Sequence, residues 1–138
     1  MRERRASRPL VLIADDSIDV REMYEEYLNA VGYRVVTASN GREAVIFARV
    51  SRPDVVVMDL QMPNVDGWAA IRELQHDAKT ASLPVIALTG HDLKDHLKHS
   101  AMAEGAVSYL TKPIIPEHLA REIAVCLEQS RMKQRRAV

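Results

Sequence analysis

The chain has 138 residues, 47 % of them apolar, which is enough for one domain with a full core and too apolar for a disordered segment. Its 19 basic and 19 acidic side chains cancel, so it lacks the overall basic excess that marks a nucleic-acid binder. Cys126 is the only cysteine, which rules out an intrachain disulfide, and no apolar stretch is long enough to cross a bilayer.

Basic residues gather at the two ends: Arg2, Arg4, Arg5 and Arg8 at the start, Arg131, Lys133, Arg135 and Arg136 at the finish. Residues 1–8 and 131–138 are therefore expected to be flexible, solvated tails around one domain spanning 9–130. The basic N-terminus leads into only a short apolar run before Asp15 and Asp16, a poor signal peptide, so a cytoplasmic protein is expected.

Leu10-Val11-Leu12-Ile13-Ala14 is an unbroken apolar run, as in a strand covered on both faces, and it stops at Asp15-Asp16. Ser17 or Asp19 caps the helix that follows, whose inner face is Val20, Tyr24, Tyr27, Leu28 and Val31, and Gly32 ends it. Residues 33–38 are β-branched enough for a strand. Asn40-Gly41 marks a turn, and Ala44, Val45, Phe47 and Ala48 a short helix. Ser51-Arg52-Pro53 closes that helix, because proline disfavours helix at the residue before it.

Val55-Val56-Val57-Met58 is a third apolar run, and it ends in Asp59, with Pro63 soon after to stop any further ladder. An acid at that point is either lifted to the C-terminal rim of a sheet, where open α/β sheets bind ligands, or an ordinary loop aspartate beginning a turn. A turn over 64–67 leads into a helix over 68–74 with Ile71 and Leu74 inward. Pro84-Val85-Ile86-Ala87-Leu88 is a fourth run, ending at Thr89-Gly90. Residues 92–104 form a polar helix stopped by Gly105. A short fifth strand over 107–110 ends at Thr111-Lys112-Pro113. Pro116 opens a last helix that runs through Glu128 and turns Cys126 inward beside Leu119 and Ile123.

Strands alternating with helices give a βαβαβαβαβα chain: α/β, a five-stranded parallel sheet with helices on both faces. All C-terminal strand ends of such a sheet lie along one edge. Asp15, Asp16, Asp59, Thr89 and Lys112 should therefore share one crevice. Three carboxylates about 4 Å apart repel by about 1 kcal/mol per pair even at a water-like dielectric, so the cluster needs a cation. Mg²⁺ suits an all-oxygen donor set. Lys112 adds a point charge that pairs with phosphate, and Thr89 a hydroxyl. Such a set is suited to phosphoryl transfer, with a carboxylate able to act as nucleophile. The alternative for the same residues is a set of helix caps plus a buried ion pair between Lys112 and an aspartate. No Ser/His/Asp or Cys/His arrangement and no glycine-rich phosphate loop is present.

The ordered segments Ile13-Ala14-Asp15-Asp16-Ser17, Val56-Val57-Met58-Asp59-Leu60-Gln61-Met62-Pro63, Asp66-Gly67, Ala87-Leu88-Thr89-Gly90 and Tyr109-Leu110-Thr111-Lys112-Pro113 resemble the receiver domain of two-component response regulators over about residues 10–129. The resemblance implies a doubly wound (βα)5, flavodoxin-like sheet of order 2-1-3-4-5. It implies that Asp59 is the phosphoacceptor, loaded by a sensor histidine kinase or phosphotransfer protein. Asp16, Asp59 and the backbone carbonyl of Gln61 would ligate Mg²⁺, with Asp15 holding it through water. Lys112 would pair with the acceptor and then with the phosphoryl oxygens. Thr89 would swing in to bond the phosphoryl group. Tyr109 would be the aromatic that turns inward with it, where the plainer alternative is a half-buried edge aromatic. The Lys112–Pro113 bond would be cis. Gln61 and His91 stand where the family varies and would tune the lifetime of the phosphoryl group.

The same resemblance implies a regulatory domain and not a metabolic enzyme. A downstream protein would bind through the helix-strand-helix face over 92–128, with no nucleic acid and no membrane insertion. Two related readings remain: a receiver cut from a longer hybrid kinase or transcription regulator, and an adaptor that never uses phosphate. The adaptor would be marked by a missing acceptor, lysine or acid pair, and all are present. A Mg²⁺-dependent phosphatase would carry a second acid two residues after its nucleophile, where Gln61 stands. His91, His96 and His99 are three of the five histidines. Asp92–His96 and Asp95–His99 are i,i+4 pairs on a helix face that is more simply solvated than metal-binding. Because histidine titrates near 6.5, partner binding is expected to vary between about pH 5.5 and 7.5.

Overall fold

Five strands take up the apolar runs: β1 (Leu10–Ala14), β2 (Arg34–Ala38), β3 (Val55–Asp59), β4 (Val85–Thr89) and β5 (Ser108–Thr111). Four helices accompany them: α1 (Ile18–Ala30), α2 (Gly41–Ser51), α3 (Gly67–His76) and α4 (Pro116–Ala137). The computed structural model describes residues 8–62, 66–90, 100 and 102–137. Of the helix expected over 92–104, Ser100 and 102–104 are helical, and 91–99 and 101 lie outside the described residues. His91, His96 and His99 are therefore outside them, as are Pro63, Asn64 and residues 1–7.

The strands form one parallel sheet in the order β2-β1-β3-β4-β5. β1 lies between β2 and β3, with Ile13 level with Thr37 and Val57. β3 and β4 are buried at every position. Their unbroken apolar character follows from that, because both faces of the sheet are covered. Side chains alternate between the faces. Leu12, Ala14, Val56, Met58, Val85 and Ala87 pack with Ala44, Val45 and Ala48 of α2 and Ala70, Ile71 and Leu74 of α3. Val11, Ile13, Val55, Val57, Ile86 and Leu88 pack on the other face with Tyr24 and Leu28 of α1 and Leu119, Ile123 and Cys126 of α4. Each fully buried Leu, Ile or Val contributes about 1.5–3 kcal/mol, so two such layers fix the register of β1, β3 and β4.

The caps follow from local chemistry. Ser17, not Asp19, caps α1 by accepting from the Val20 N–H. Asn40 caps α2 and Asp66 caps α3 in the same way, through the Glu43 and Ala69 N–H groups. Gly32 takes a left-handed φ of 105° at the end of α1. The Lys112–Pro113 bond is cis.

One boundary differs from expectation by more than two residues. α4 does not stop at Glu128 but continues to Ala137, so 131–137 is helical where a flexible, solvated tail is expected. Arg131, Met132, Lys133, Gln134, Arg135 and Arg136 are all good helix formers, with no glycine or proline among them, and the arginines of the last turn complement the helix dipole. Charge alone does not end a helix.

Candidate functional site

The C-terminal ends of β1, β3, β4 and β5 gather the polar groups that the strands themselves exclude. Asp15 follows β1 directly, its amide bonded to the Ala38 carbonyl of β2, and is only 1 % exposed. Asp16, the next residue, is exposed. Asp59 is the last residue of β3 and 4 % exposed. The three acids each bring an oxygen within 4.8 Å of the others. Three anions so close, two of them buried, are costly without positive charge.

Lys112 supplies one such charge. It follows β5, where its amide donates to the Thr89 carbonyl at 2.6 Å. Its Nζ reaches Asp15 Oδ2 at 2.5 Å and Asp59 Oδ2 at 3.3 Å. Burial works against the charged amine, but the bond to Asp15 and the charges of Asp15 and Asp59 outweigh it, and the lysine pKa stands above its ordinary value. Burial likewise pushes the Asp59 carboxyl above the usual carboxylate range, with Asp15 adding to the rise. The Gln61 N–H, 3.0 Å from Asp59 Oδ1, and Lys112 pull it part of the way back.

The remaining oxygens are also held. Asp15 Oδ1 accepts the Ser17 N–H at 2.9 Å, which ties the acid to the start of α1. Arg21, one turn into α1, donates from Nη1 to the Asp15 carbonyl at 2.7 Å. Tyr24, on the next turn, is 2 % exposed and donates from its hydroxyl to the Ile114 carbonyl at 2.9 Å. Burial raises the Tyr24 phenol above its ordinary pKa; Lys112 opposes this, and Asp15 and Asp59 add to it, so the hydroxyl lies within the field of the site.

Thr89 ends β4, level with Thr111 of β5 and fully buried. Among the described residues its hydroxyl has no hydrogen-bond partner, and neither does the buried hydroxyl of Tyr109. Burial raises the Tyr109 phenol above its ordinary pKa and the neighbouring Thr89 hydroxyl pulls it part of the way back. An unpartnered buried hydroxyl costs about 1–3 kcal/mol, which sets Thr89 and Tyr109 apart as groups with unused bonding capacity. The Tyr109 ring is half-buried and packs on the α2–α3 side of the sheet.

The residues singled out in the sequence thus meet: Asp15, Asp16, Asp59 and Lys112 at one rim, with Thr89 and Tyr109 joined to it through the β4–β5 end. Gln61 is exposed and enters through its backbone N–H. An all-oxygen cluster with no histidine or cysteine suits a hard divalent cation, and an exposed Asp16 without a hydrogen bond or ion pair among the described residues leaves a donor ready for one. The residues fit Mg²⁺ on that ground.

Three contributors escape a sequence reading. A Cβ at Gly67 would overlap the Asp59 carbonyl oxygen and lie 2.6 Å from Leu60 Cα, so this glycine lets α3 start against the acid's own strand. The Asp66-Gly67 pair reads as a turn and as one of the segments carrying the resemblance, and neither reading shows this close approach. Arg21 and Tyr24 carry no sequence signal for their carbonyl partners. Tyr24 reads as one more residue of a core face, and its hydroxyl is invisible in that pattern.

Comparison with known proteins places these features in a group. A family model described as the response regulator receiver domain matches residues 11–124. Protein PilH of Pseudomonas aeruginosa is 41 % identical over 119 residues, which is 85 % of this chain and 96 % of that protein. The probable transcriptional regulator ycf27 of Cyanophora paradoxa is 35 % identical over 121 residues, 87 % of this chain and 48 % of that protein. The chain spans about half the length of the ycf27 relatives it matches. Among solved structures, the chemotaxis response regulator CheY4 of Vibrio cholerae superposes with a TM-score of 0.81 at 32 % identity, covering 87 % of this chain and 99 % of that one.

Proposed function

The chain belongs to the response regulator receiver domain family of two-component signalling, and from that premise we propose that it is a switch set by phosphorylation of Asp59. The observation that carries this is the placement of Lys112 Nζ between two buried acids, 2.5 Å from Asp15 and 3.3 Å from Asp59, at the rim where β4 ends in a Thr89 hydroxyl with no partner among the described residues.

The donor is a phosphohistidine on a sensor kinase or phosphotransfer protein. An Asp59 carboxylate oxygen attacks the phosphorus as the P–N bond breaks. The electron pair of that bond stays on the imidazole, and Asp59 becomes an acyl phosphate. Lys112 then shifts its ion pair from the carboxylate toward the phosphoryl oxygens, and the Thr89 hydroxyl donates to one of them. Movement of Thr89 leaves room for Tyr109, whose own hydroxyl has no partner among the described residues, and that couples the site to the outer face of β5. Asp16, Asp59 and the Gln61 carbonyl would hold Mg²⁺, with Asp15 reaching it through water. When bound, the ion would neutralise charge on the transferring phosphoryl oxygens.

The reactions are the gain and loss of the chain's own phosphoryl group, which makes it a regulatory domain and not a metabolic enzyme. Phosphorylation changes what binds the face over 92–128, and the partner is a protein and not nucleic acid. No helix among the described residues is long and apolar enough to cross a membrane, which fits work in the cytoplasm beside a kinase. The same site would serve a longer regulator, since the ycf27 relatives continue well beyond the matched region while PilH is matched nearly whole.

Acetyl phosphate with Mg²⁺ followed by intact mass tests the assignment. The native protein gains one phosphoryl group and Asp59→Asn gains none. A native chain that stays unmodified across donor and Mg²⁺ concentrations overturns it.

A further inference from the structure

Tyr24 brings a hydroxyl into a layer whose other buried members among the described residues are aliphatic, Cys126 apart. Its ring lies among Val11, Ile13, Leu28, Val57, Leu88 and Leu119, and it is 2 % exposed. A phenylalanine or leucine there would fill the same space with no polar group to satisfy. Burying a hydroxyl is unfavourable unless it finds a partner, and this one has found the Ile114 carbonyl, 90 residues away in the chain, at 2.9 Å.

The carbonyl it takes is two residues beyond Lys112. The Lys112 amide is already bonded to the Thr89 carbonyl at 2.6 Å, which fixes the loop on the strand side. On the other side α4 starts at Pro116, and its first-turn amides bond to the Ile115 carbonyl. Tyr24 closes the interval between these two anchors. The Lys112 side chain leaves a backbone held from both directions, and its Nζ spans two acids at 2.5 and 3.3 Å. α1 is itself tied to one of those acids, through the Ser17 N–H on Asp15 Oδ1 and Arg21 on the Asp15 carbonyl. One helix therefore sets both the acid and the loop that carries the lysine.

We propose that Tyr24 is a positioning residue for Lys112: by fixing the Ile114 carbonyl, its hydroxyl holds the loop that delivers the ammonium between Asp15 and Asp59. This rests on the acceptor role of Asp59 given above. A small displacement of a charged group aimed at a transferring phosphoryl is felt in rate far more than in stability, because catalysis of this kind depends on placement.

The test is a double-mutant cycle on phosphorylation rate, read by intact mass with acetyl phosphate and saturating Mg²⁺. Tyr24→Phe keeps the ring and deletes the hydroxyl. It slows loading roughly tenfold in the native background. In a Lys112→Ala background, timed over hours, the same substitution changes the rate less than about twofold, since the group being positioned is gone. A purely structural role would slow both backgrounds alike. Equal slowing in both, or a Tyr24→Phe protein that loads as fast as the native one, overturns the proposal. Carbonyl and side-chain NMR of Ile114 and Lys112 provides an arm that needs no phosphate: Tyr24→Phe shifts both signals, and unmoved signals overturn the proposal. If the native protein gains no phosphoryl group, the acceptor reading falls, and the NMR arm alone decides whether Tyr24 positions the loop.

Discussion

Lys112 sits closer to Asp15 than to Asp59, at 2.5 Å against 3.3 Å. The acid expected to take the phosphoryl group is therefore the weaker of the lysine's two partners. Asp15 is 1 % exposed and Asp59 4 % exposed, so the tighter bond is also the drier one. This division suits the proposed role, in which the charge leaves the Asp59 carboxylate for a phosphoryl oxygen without being released into solvent.

Removing the lysine leaves Asp15 and Asp59 buried together without their counter-charge. Breaking a buried pair by deleting one partner costs about 3–5 kcal/mol, and the partly exposed lysine head lowers that to about 2 kcal/mol here. Lys112→Ala should lose that much stability in urea without Mg²⁺, and Mg²⁺ should restore part of it through the same acids. An unchanged midpoint without the ion would show that the pair contributes nothing to folding.

Asp59→Asn should have the opposite sign. The folded-state pKa of Asp59 is raised, chiefly by burial. The native fold therefore binds the proton more readily than the unfolded chain. Stability from this group is fully present below the unfolded value and is lost as pH rises through the folded one. At neutral pH the ionised carboxylate is a net liability, and a neutral amide of the same shape should stabilise the Mg²⁺-free protein by about 1 kcal/mol. The advantage should shrink as pH falls through the folded pKa of Asp59. Urea midpoints of the two proteins from pH 7 down to acid provide the check, and an Asp59→Asn protein less stable than native at pH 7 contradicts the argument.

Two glycines separate crowding from backbone strain. At Gly67 a Cβ meets backbone atoms of Asp59 and Leu60, which cannot step aside as a side chain could. At Gly32 there is nothing within 4 Å, but φ is +105°. Gly67→Ala should cost about 3 kcal/mol and slow loading of Asp59, because it pushes on the acid's own strand. Gly32→Ala should cost about 1 kcal/mol of strain and leave loading unchanged. Thermal melts and phosphorylation rates on the pair give both answers, and similar losses from the two substitutions would count against crowding at the site.

These residues also show what the sequence could convey. Val55 to Met58 and Val85 to Leu88 announce buried parallel strands because period and composition record burial directly. Once the strands are parallel, Asp15, Asp59, Thr89 and Lys112 must share an edge, and they do. Tertiary pairing of a polar atom leaves no such trace. The Tyr24 hydroxyl and the Arg21 guanidinium find carbonyls in other loops or turns, and nothing in their spacing marks which ones. The end of α4 was hidden for a different reason. Residues 131–136 are exposed, so no apolar period extends the helix past Gln129, and only propensity carries it on to Ala137.

Cys126 offers a measure of how tightly α4 closes over the sheet. The thiol is 3 % exposed and its pKa is pushed up to about 11, first by burial and then by the charge of Glu122. The thiolate is the species that attacks a disulfide reagent. At pH 8 a shift from the ordinary value of 9.0 to about 11 lowers the thiolate fraction about a hundredfold, before steric exclusion is counted. An aromatic disulfide reagent at pH 8 should therefore modify the folded chain at least about a hundredfold more slowly than the urea-unfolded chain. The residual rate should follow opening of the helix, so Mg²⁺, if it binds the folded site as proposed, should slow it further. Reaction of the folded chain at the unfolded rate would mean that α4 does not cover Cys126 in solution.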